Sequence, residues 1–207
     1  MLTTPTNPLH GFCRIFLKLS SLIGLTMPKT LTSFVFFLFL SACSAVSVDD
    51  YKHFEPSLDP VAFFDGKLTA HGVIKNRSGL VIRTFNADIN AFWRDGIGTL
   101  EEEFLFDDGE VQHRVWTLTP SGNGTYISTA GDVVGEGLLS FSGNSIFLDY
   151  VLRIPYGESS VDVRVDDRMY LVSENVLINE SIMKKFGIRV GSISLVIIRH
   201  RVSTPVT

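Results

Sequence analysis

From Lys67 onward, apolar and polar side chains alternate one by one, and clusters of Gly, Asn, Asp and Pro break the alternation at regular intervals. A period of two sends successive side chains to opposite faces of an extended chain, so the pattern predicts strands with one dry and one wet face. Leu68, Ala70, Gly72 and Ile74 alternate with Lys67, Thr69, His71 and Lys75. Beyond a turn at residues 76–79, Phe85, Ala87, Ile89, Ala91 and Trp93 alternate with Thr84, Asn86, Asp88 and Asn90, which makes a first hairpin. Ile146, Leu148, Tyr150, Leu152 and Ile154 form a later dry face, and Val161, Val163 and Val165 another. Turn chemistry falls between such runs at Asp95-Gly96, Asp108-Gly109, Ser121-Gly122-Asn123-Gly124, Gly143-Asn144 and Pro155-Tyr156-Gly157. The pattern predicts about nine or ten strands.

One short helix is expected, at residues 180–186, with Asn179 as its N-cap and Gly187 as its C-terminal stop. It is too short to carry a parallel crossover, so the strands must be mainly antiparallel. Residues 188–201 are the expected closing strand; the run Leu195-Val196-Ile197-Ile198 suggests burial on both faces, with the helix packed outside. A sequential meander of this length removes its edges best by curling into a closed barrel. The fold class is therefore all-β, an antiparallel up-and-down barrel with one short helix before the last strand; a two-sheet sandwich is the alternative.

The hairpin between Thr99 and Thr119 carries the candidate chemistry. A two-residue turn at Asp108-Gly109 pairs Phe106 with Val111, Phe104 with His113, Glu103 with Arg114 and Glu102 with Val115. The more apolar face of that register is Leu100, Glu102, Phe104, Phe106, Val111, His113 and Val115, and it is the expected interior. Glu102 and His113 then lie inside within reach of each other, while Glu103 and Arg114 make an ion pair outside. A buried carboxylate beside an imidazole could act as a base with its partner, or could hold the polar end of a ligand. The candidate ligand-binding residues are thus Phe104, Phe106, Glu102 and His113, with Glu102 and His113 the weak catalytic candidates. A satisfied structural pair, or a register slip that leaves both in water, is the plainer alternative. In a second acidic group, alternation sends Asp166 outward and Asp167 inward, where a bulge would pair Asp167 with Arg168 or Tyr170. No third ligand for a metal stands near it, and neither a metal nor a cofactor is expected.

Charge changes the picture before Cys43. Arg14, Lys18 and Lys29 are the ionised side chains of the first 42 residues, and no acid occurs there. An acid-free basic leader with a ten-residue apolar run at residues 31–40 fits a signal peptide and is too short for a membrane-spanning helix. Met27-Pro28-Lys29 would make a compact signal start, so Met27 is a second candidate for the first residue. Beyond Cys43 the formal charge is −7, which argues against nucleic acid and gives no overall attraction to anionic lipid. With Cys13 in the leader, Cys43 has no partner, and thiol chemistry and zinc ribbons drop out. There is no nucleophile elbow, no His-Glu-x-x-His and no glycine-rich phosphate loop.

Leu40-Ser41-Ala42-Cys43 resembles the bacterial lipobox, in which the cysteine receives a diacylglycerol and becomes the mature N-terminus. The resemblance implies a signal at residues 1–42 and lipidation of Cys43. The polar stretch 43–60 is read as a tether, 61–201 as the barrel domain and 202–207 as a tail. Ser44 stands where an Asp would signal inner-membrane retention, which implies the outer membrane, facing the periplasm. The body resembles a family of small bacterial envelope lipoproteins of unassigned function with a lipocalin-like barrel. The resemblance rests on Phe64-Asp65-Gly66-Lys67-Leu68, Arg77-Ser78-Gly79, Asp107-Asp108-Gly109, Arg114-Val115-Trp116-Thr117-Leu118, Asp166-Asp167-Arg168-Met169-Tyr170, Val176-Leu177-Ile178-Asn179 and Lys185-Phe186-Gly187. Arg168 stands where that family would carry a Trp. The family implies a barrel with no established catalytic residues, loosely associated with lipid-modifying functions.

Three functions follow as expectations. The first is an outer-membrane-anchored binding module for an apolar or lipid-like ligand such as a fatty acid, held to the bilayer through acylated Cys43. The second is a structural lipoprotein with a filled barrel whose outer face, around Trp116 and Leu118, docks a protein partner. The third is a lipid-modifying enzyme using Glu102 and His113.

Overall fold

The computed structural model describes residues 45–200, and the fold discussed below is the unit that begins at Val46. The lipobox, Cys43 and the apolar run before it lie outside the described residues, as do residues 202–207.

Ten antiparallel strands close into a barrel: β1 (Gly66–Asn76), β2 (Val81–Arg94), β3 (Ile97–Phe106), β4 (Val111–Gly122), β5 (Thr125–Thr129), β6 (Gly137–Ser142), β7 (Ser145–Tyr156), β8 (Ser159–Ser173), β9 (Val176–Lys185) and β10 (Ile188–Arg199). Each strand pairs with the next, and β1 pairs with β10, so the sandwich alternative is ruled out. The alternation read from the sequence is the inside-outside alternation of β1, β2, β7 and β8: Leu68, Ala70, Ala87, Ile89, Ile146, Leu148, Val163 and Val165 are all buried. Gly72 faces inward because the Phe85 ring occupies the space a side chain would need; a Cβ there would sit 2.5 Å from Phe85 Cζ.

Residues 180–186 are not a helix. Ser181 and Met183 continue the inward row of β9 begun by Leu177 and Asn179, while Ile178, Glu180 and Ile182 face out. Asn179 is thus no N-cap, and the Phe186-Gly187 pair is a hairpin turn with both residues at positive φ. With no helix outside it, β10 is only half buried over Leu195, Val196 and Ile198, with Ile197 fully inward.

The β3–β4 hairpin is shifted by one residue from the expected register. Gly109 N donates to Phe106 O and Phe106 N donates to Glu110 O, each at 3.0 Å, so the loop contains three residues, Asp107, Asp108 and Gly109, rather than two. Gly109, at φ 85°, takes the left-handed position that closes such a loop. Glu103 consequently opposes His113, Glu102 opposes Arg114 and Leu100 opposes Trp116. A one-residue shift exchanges the faces of the strand it acts on. On β3, Glu102, Phe104 and Phe106 stay inside; on β4, Val111, His113 and Val115 turn outward and Gln112, Arg114, Trp116 and Leu118 turn inward.

The segment read as a tether is laid on the barrel. Val48–Tyr51 form a 3-10 turn capped by Ser47, whose hydroxyl accepts from Asp49 N. The Tyr51 ring lies 5.8 Å from Phe147 and 5.5 Å from Tyr170. A helical turn follows, α1 (Pro60–Phe63), with Asp59 as N-cap. Leu58, Phe63 and Phe64 are buried, and Trp93 Nε1 donates to Phe64 O at 2.8 Å. This segment seals the end of the barrel that carries the β2–β3 and β6–β7 turns.

The register has a direct test. Trp116 is buried with its ring edge-to-face on Tyr150 at 5.2 Å, whereas Val115 is half exposed. Trp116→Ala is expected to cost about 3 kcal/mol in urea denaturation, and Val115→Thr no more than about 0.5 kcal/mol. Equal losses would mean that β4 presents its other face.

Candidate functional site

Inside the barrel is a cavity of about 430 Å³. Its floor is Phe64; its walls are mainly aliphatic and aromatic, among them Phe85, Leu100, Phe104, Leu148 and Ile197; its rim includes Ile82, Arg83, Phe106 and Pro155. The rim belongs to the end carrying the β1–β2, β3–β4 and β7–β8 turns, opposite the sealed end. The size falls within the range of small-molecule sites. A larger concavity of about 540 Å³ runs along the outside of β1–β4, but exposed polar side chains such as Asp88, Glu101, Glu103 and His113 line it. The enclosed cavity is the better candidate, because its walls are apolar and the polar groups in them are held in place.

Those polar groups converge from five strands and one loop. Arg114 on β4 grips Asp132 of the β5–β6 connection with one edge of its guanidinium, Nε donating at 3.0 Å and Nη2 at 2.7 Å to Oδ2. Glu102 on β3 lies on the other side of Arg114, with Oε2 at 3.9 Å from Nη1, too far for a hydrogen bond. That oxygen is buried and has no hydrogen-bond partner among the described residues. Burial pushes the Glu102 carboxyl up to about 7, against the attraction of Arg114. On the facing wall, Asp167 of β8 accepts from Asn179 Nδ2 at 2.5 Å and Ser181 Oγ at 2.7 Å, and burial raises its carboxyl in spite of those two donors. Burial also raises the Tyr150 phenol.

The structure keeps some expected site residues together and parts others. Glu102, Phe104 and Phe106 line the cavity as expected. His113 does not: its side chain is 67 % exposed and lies 3.5 Å from Glu103 on the outside. The Glu102–His113 pair therefore does not exist, because the three-residue loop turns His113 away. Arg114 takes its place, and the expected Glu103–Arg114 pair is replaced by Glu103–His113 outside and Glu102–Arg114 inside. Trp116 and Leu118, expected on a docking face, line the cavity. Asp167 points inward as alternation requires, but it is held by Asn179 and Ser181; Arg168 instead donates to the Asp167 carbonyl and to Asp149. Asp132, Asn179, Ser181 and Tyr150 went unrecognised. Asn179 and Ser181 did leave a signal, as polar side chains at two successive inward positions of β9. Among the described residues no group of three or more His, Cys, Asp or Glu is placed to hold a metal ion, and no helix is long and apolar enough to cross a membrane.

Comparison with known proteins gives a fold and a family. An S-type phycobiliprotein lyase, CPES from Guillardia theta, has a similar structure: the TM-score is 0.51 at 14 % sequence identity, over 69 % of this chain and 92 % of that one. At that identity the likeness establishes the lipocalin-like barrel alone. No curated protein matches the chain. A family model described as a protein of unknown function, DUF3833, matches residues 37–199. That match spans the whole barrel and most of the chain, and the protein belongs to the DUF3833 family.

Proposed function

We propose that the barrel is a binding module for an apolar or lipid-like ligand, working as a lipid-anchored protein of the bacterial cell envelope. The observation that carries the reading is the cavity: apolar walls around a small set of fixed polar groups, one of which, Glu102 Oε2, is buried without a partner. A barrel filled by its own side chains would leave no such space. The fold is shared with a phycobiliprotein lyase, which supports a ligand-handling role without indicating the ligand.

The polar cluster narrows the ligand. The Arg114 fork is occupied by Asp132, and Asp167 and Glu102 add two more carboxyls to the wall. A carboxylate end such as that of a fatty acid meets three carboxyls, those of Asp132, Glu102 and Asp167, around the single Arg114 guanidinium of that cluster. A hydroxyl or ammonium end finds an acceptor with spare capacity in Glu102. The tail then lies along Phe85, Phe104 and Ile197.

Anchoring rests on Leu40-Ser41-Ala42-Cys43 and the acid-free leader before it. Acylated Cys43 would hold the protein to the bilayer, with Ser44 favouring the outer membrane and a periplasmic face.

Three measurements check these readings. Native mass spectrometry of the protein purified from membranes is expected to show a bound small molecule with a hydrophobic tail; a barrel that stays empty under conditions that preserve other lipid complexes counts against binding. Glu102→Gln is expected to stabilise the protein in a pH-dependent way. The carboxyl titrates at 4.5 when unperturbed and at about 7 in the barrel, so between those values the folded state keeps a proton that the unfolded chain has lost. Glu102 therefore costs stability progressively as pH rises through that interval, by about 3 kcal/mol once above it. The variant should gain most of this in urea denaturation at pH 8 and nothing at pH 4; an equal effect at both would show that the carboxyl is not held up. Finally, Cys43→Ser should abolish palmitate labelling and release the protein from the outer-membrane fraction, and persistence of either overturns the lipobox reading.

A further inference from the structure

The open end of the barrel is not uniform. Two hairpins that neighbour each other there, β1–β2 and β9–β10, carry exposed large apolar side chains: Leu80 is 65 % exposed, Ile82 60 %, Ile188 55 % and Phe186 92 %. They are adjacent because β1 pairs with β10 up to Asn76 and Gly191, so both loops leave the same stretch of rim. Ile82 also lines the cavity mouth. Exposed aliphatic and aromatic tips at a sheet end mark an interaction surface rather than ordinary surface scatter.

Charge identifies what the surface meets. No acid occurs between Lys67 and Arg83, or anywhere after Glu180, in a chain whose net charge is −4. Lys75, Arg77, Lys185 and Arg189 stand on these two hairpins or at their base, and among the described residues none has a carboxylate within ion-pair distance. Lys75 donates to Ser194 Oγ and Arg189 to Ser192 Oγ, while Lys185 donates to the Asp162 carbonyl and lies 5.1 Å from the centre of the Phe186 ring, close enough to the Asp162 carboxylate to help hold it below its ordinary range. Other cations at this end are spent: Arg83 on Asp108 and Glu110, Lys184 on Asp166. The acids of the rim sit on other elements: Asp107, Asp108 and Glu110 on β3–β4, Asp132 and Glu136 on the β5–β6 connection, Glu158 on β7–β8, and Asp162 on β8, which is paired with Arg153. Apolar tips flanked by unpaired cations are complementary to a bilayer carrying anionic headgroups, where each nearby Lys or Arg adds attraction and the tips enter the interface.

We propose that the β1–β2 and β9–β10 hairpins dock the open end of the barrel on an anionic lipid surface, with Leu80, Ile82, Phe186 and Ile188 entering the interface. The surface stands independently of what the cavity holds and of any modification at Cys43. It places the cavity mouth against the bilayer, so a tail leaving the membrane passes Ile82 into the barrel without crossing water.

The test uses site-specific fluorescence in the full chain carrying Cys13→Ser and Cys43→Ser, so that an anchor elsewhere does not mimic docking. Phe186→Cys labelled with an environment-sensitive dye reads the tip, and Phe54→Cys, at another exposed aromatic, serves as control. With vesicles of phosphatidylcholine and phosphatidylglycerol in equal parts, the label at position 186 is expected to shift to the blue and brighten, and the label at position 54 to stay unchanged. Lys185→Gln with Arg189→Gln, on the same labelled background, is expected to raise the lipid concentration for half-maximal shift roughly 10- to 30-fold. The proposal is overturned if the label at 186 stays in water, if position 54 shifts as much, or if phosphatidylcholine alone gives the same response. A surface that binds a protein instead gives the first of these results.

Discussion

A ten-stranded meander has two free edges, and the pairing of β1 with β10 from Leu68–Arg199 to Asn76–Gly191 removes both. Unpaired backbone along an edge is costly if buried and prone to association if exposed, so closure settles where every strand's polar backbone goes. It also fixes the faces. Once the sheet is closed, each strand has one concave side, and the period-two rows on β1, β2, β7 and β8 have a single interior to share. The cavity is a consequence: ten strands enclose more space than the inward side chains fill, especially where Gly72 and the alanines at 70, 87 and 91 contribute so little volume. Closure is thus the constraint from which core, cavity and rim follow.

Within that interior the polar groups are treated unequally. Asp167 is embedded in donors, with Asn179 and Ser181 both on its Oδ1 and Ser181 also bonded to Asn179, an arrangement that satisfies a buried carboxyl. Arg114 and Asp132 satisfy one another through a two-point contact. Glu102 is the member left over: near Arg114, yet outside hydrogen-bonding distance and with one oxygen orphaned. A group retained at a cost in stability, in the wall of a cavity, is better explained by an incoming ligand than by the fold, since replacing it with an apolar residue would make a better core.

The architecture was legible in the sequence because alternation is a direct image of inside and outside, and β1, β2, β7 and β8 carry it plainly. Two errors had identifiable causes. The β3–β4 loop shows Asp-Gly, the signature of a two-residue turn, but the chain uses Asp107 as well and places Gly109 in the closing left-handed position; one added residue was enough to move His113 out and Arg114 in. The supposed helix at residues 180–186 arose because β9 breaks the alternation where it faces Asp167: Asn179 and Ser181 point inward, while Ile178 and Ile182 point out. The strand looked unlike a strand for the same reason that it belongs to the site. Phe104, Phe106 and Glu102 were legible because β3 keeps its phase under either loop. Asp132 was not, because it reaches Arg114 from a long connection with no period to read.

Net charge says less than its distribution. A body of formal charge −7 beyond Cys43 predicts no attraction to anionic surfaces, yet a sum says nothing about distribution. Asp162 and Asp166 on β8 are matched by Arg153, Arg164 and Lys184, Glu102 and Asp167 point into the barrel, and the stretch from Ser181 to the C-terminus holds no acid. The barrel is accordingly polarised along its axis and around its rim. One end is sealed by Leu58, Phe63 and Phe64, with the Trp93–Phe64 hydrogen bond fastening the seal. The other is open, and on the β1–β10 side of that opening the unpaired cations and bare apolar tips coincide. A ligand with a hydrophobic tail enters such a barrel by its open end, and the apolar tips and cations beside that entrance are complementary to an anionic bilayer surface.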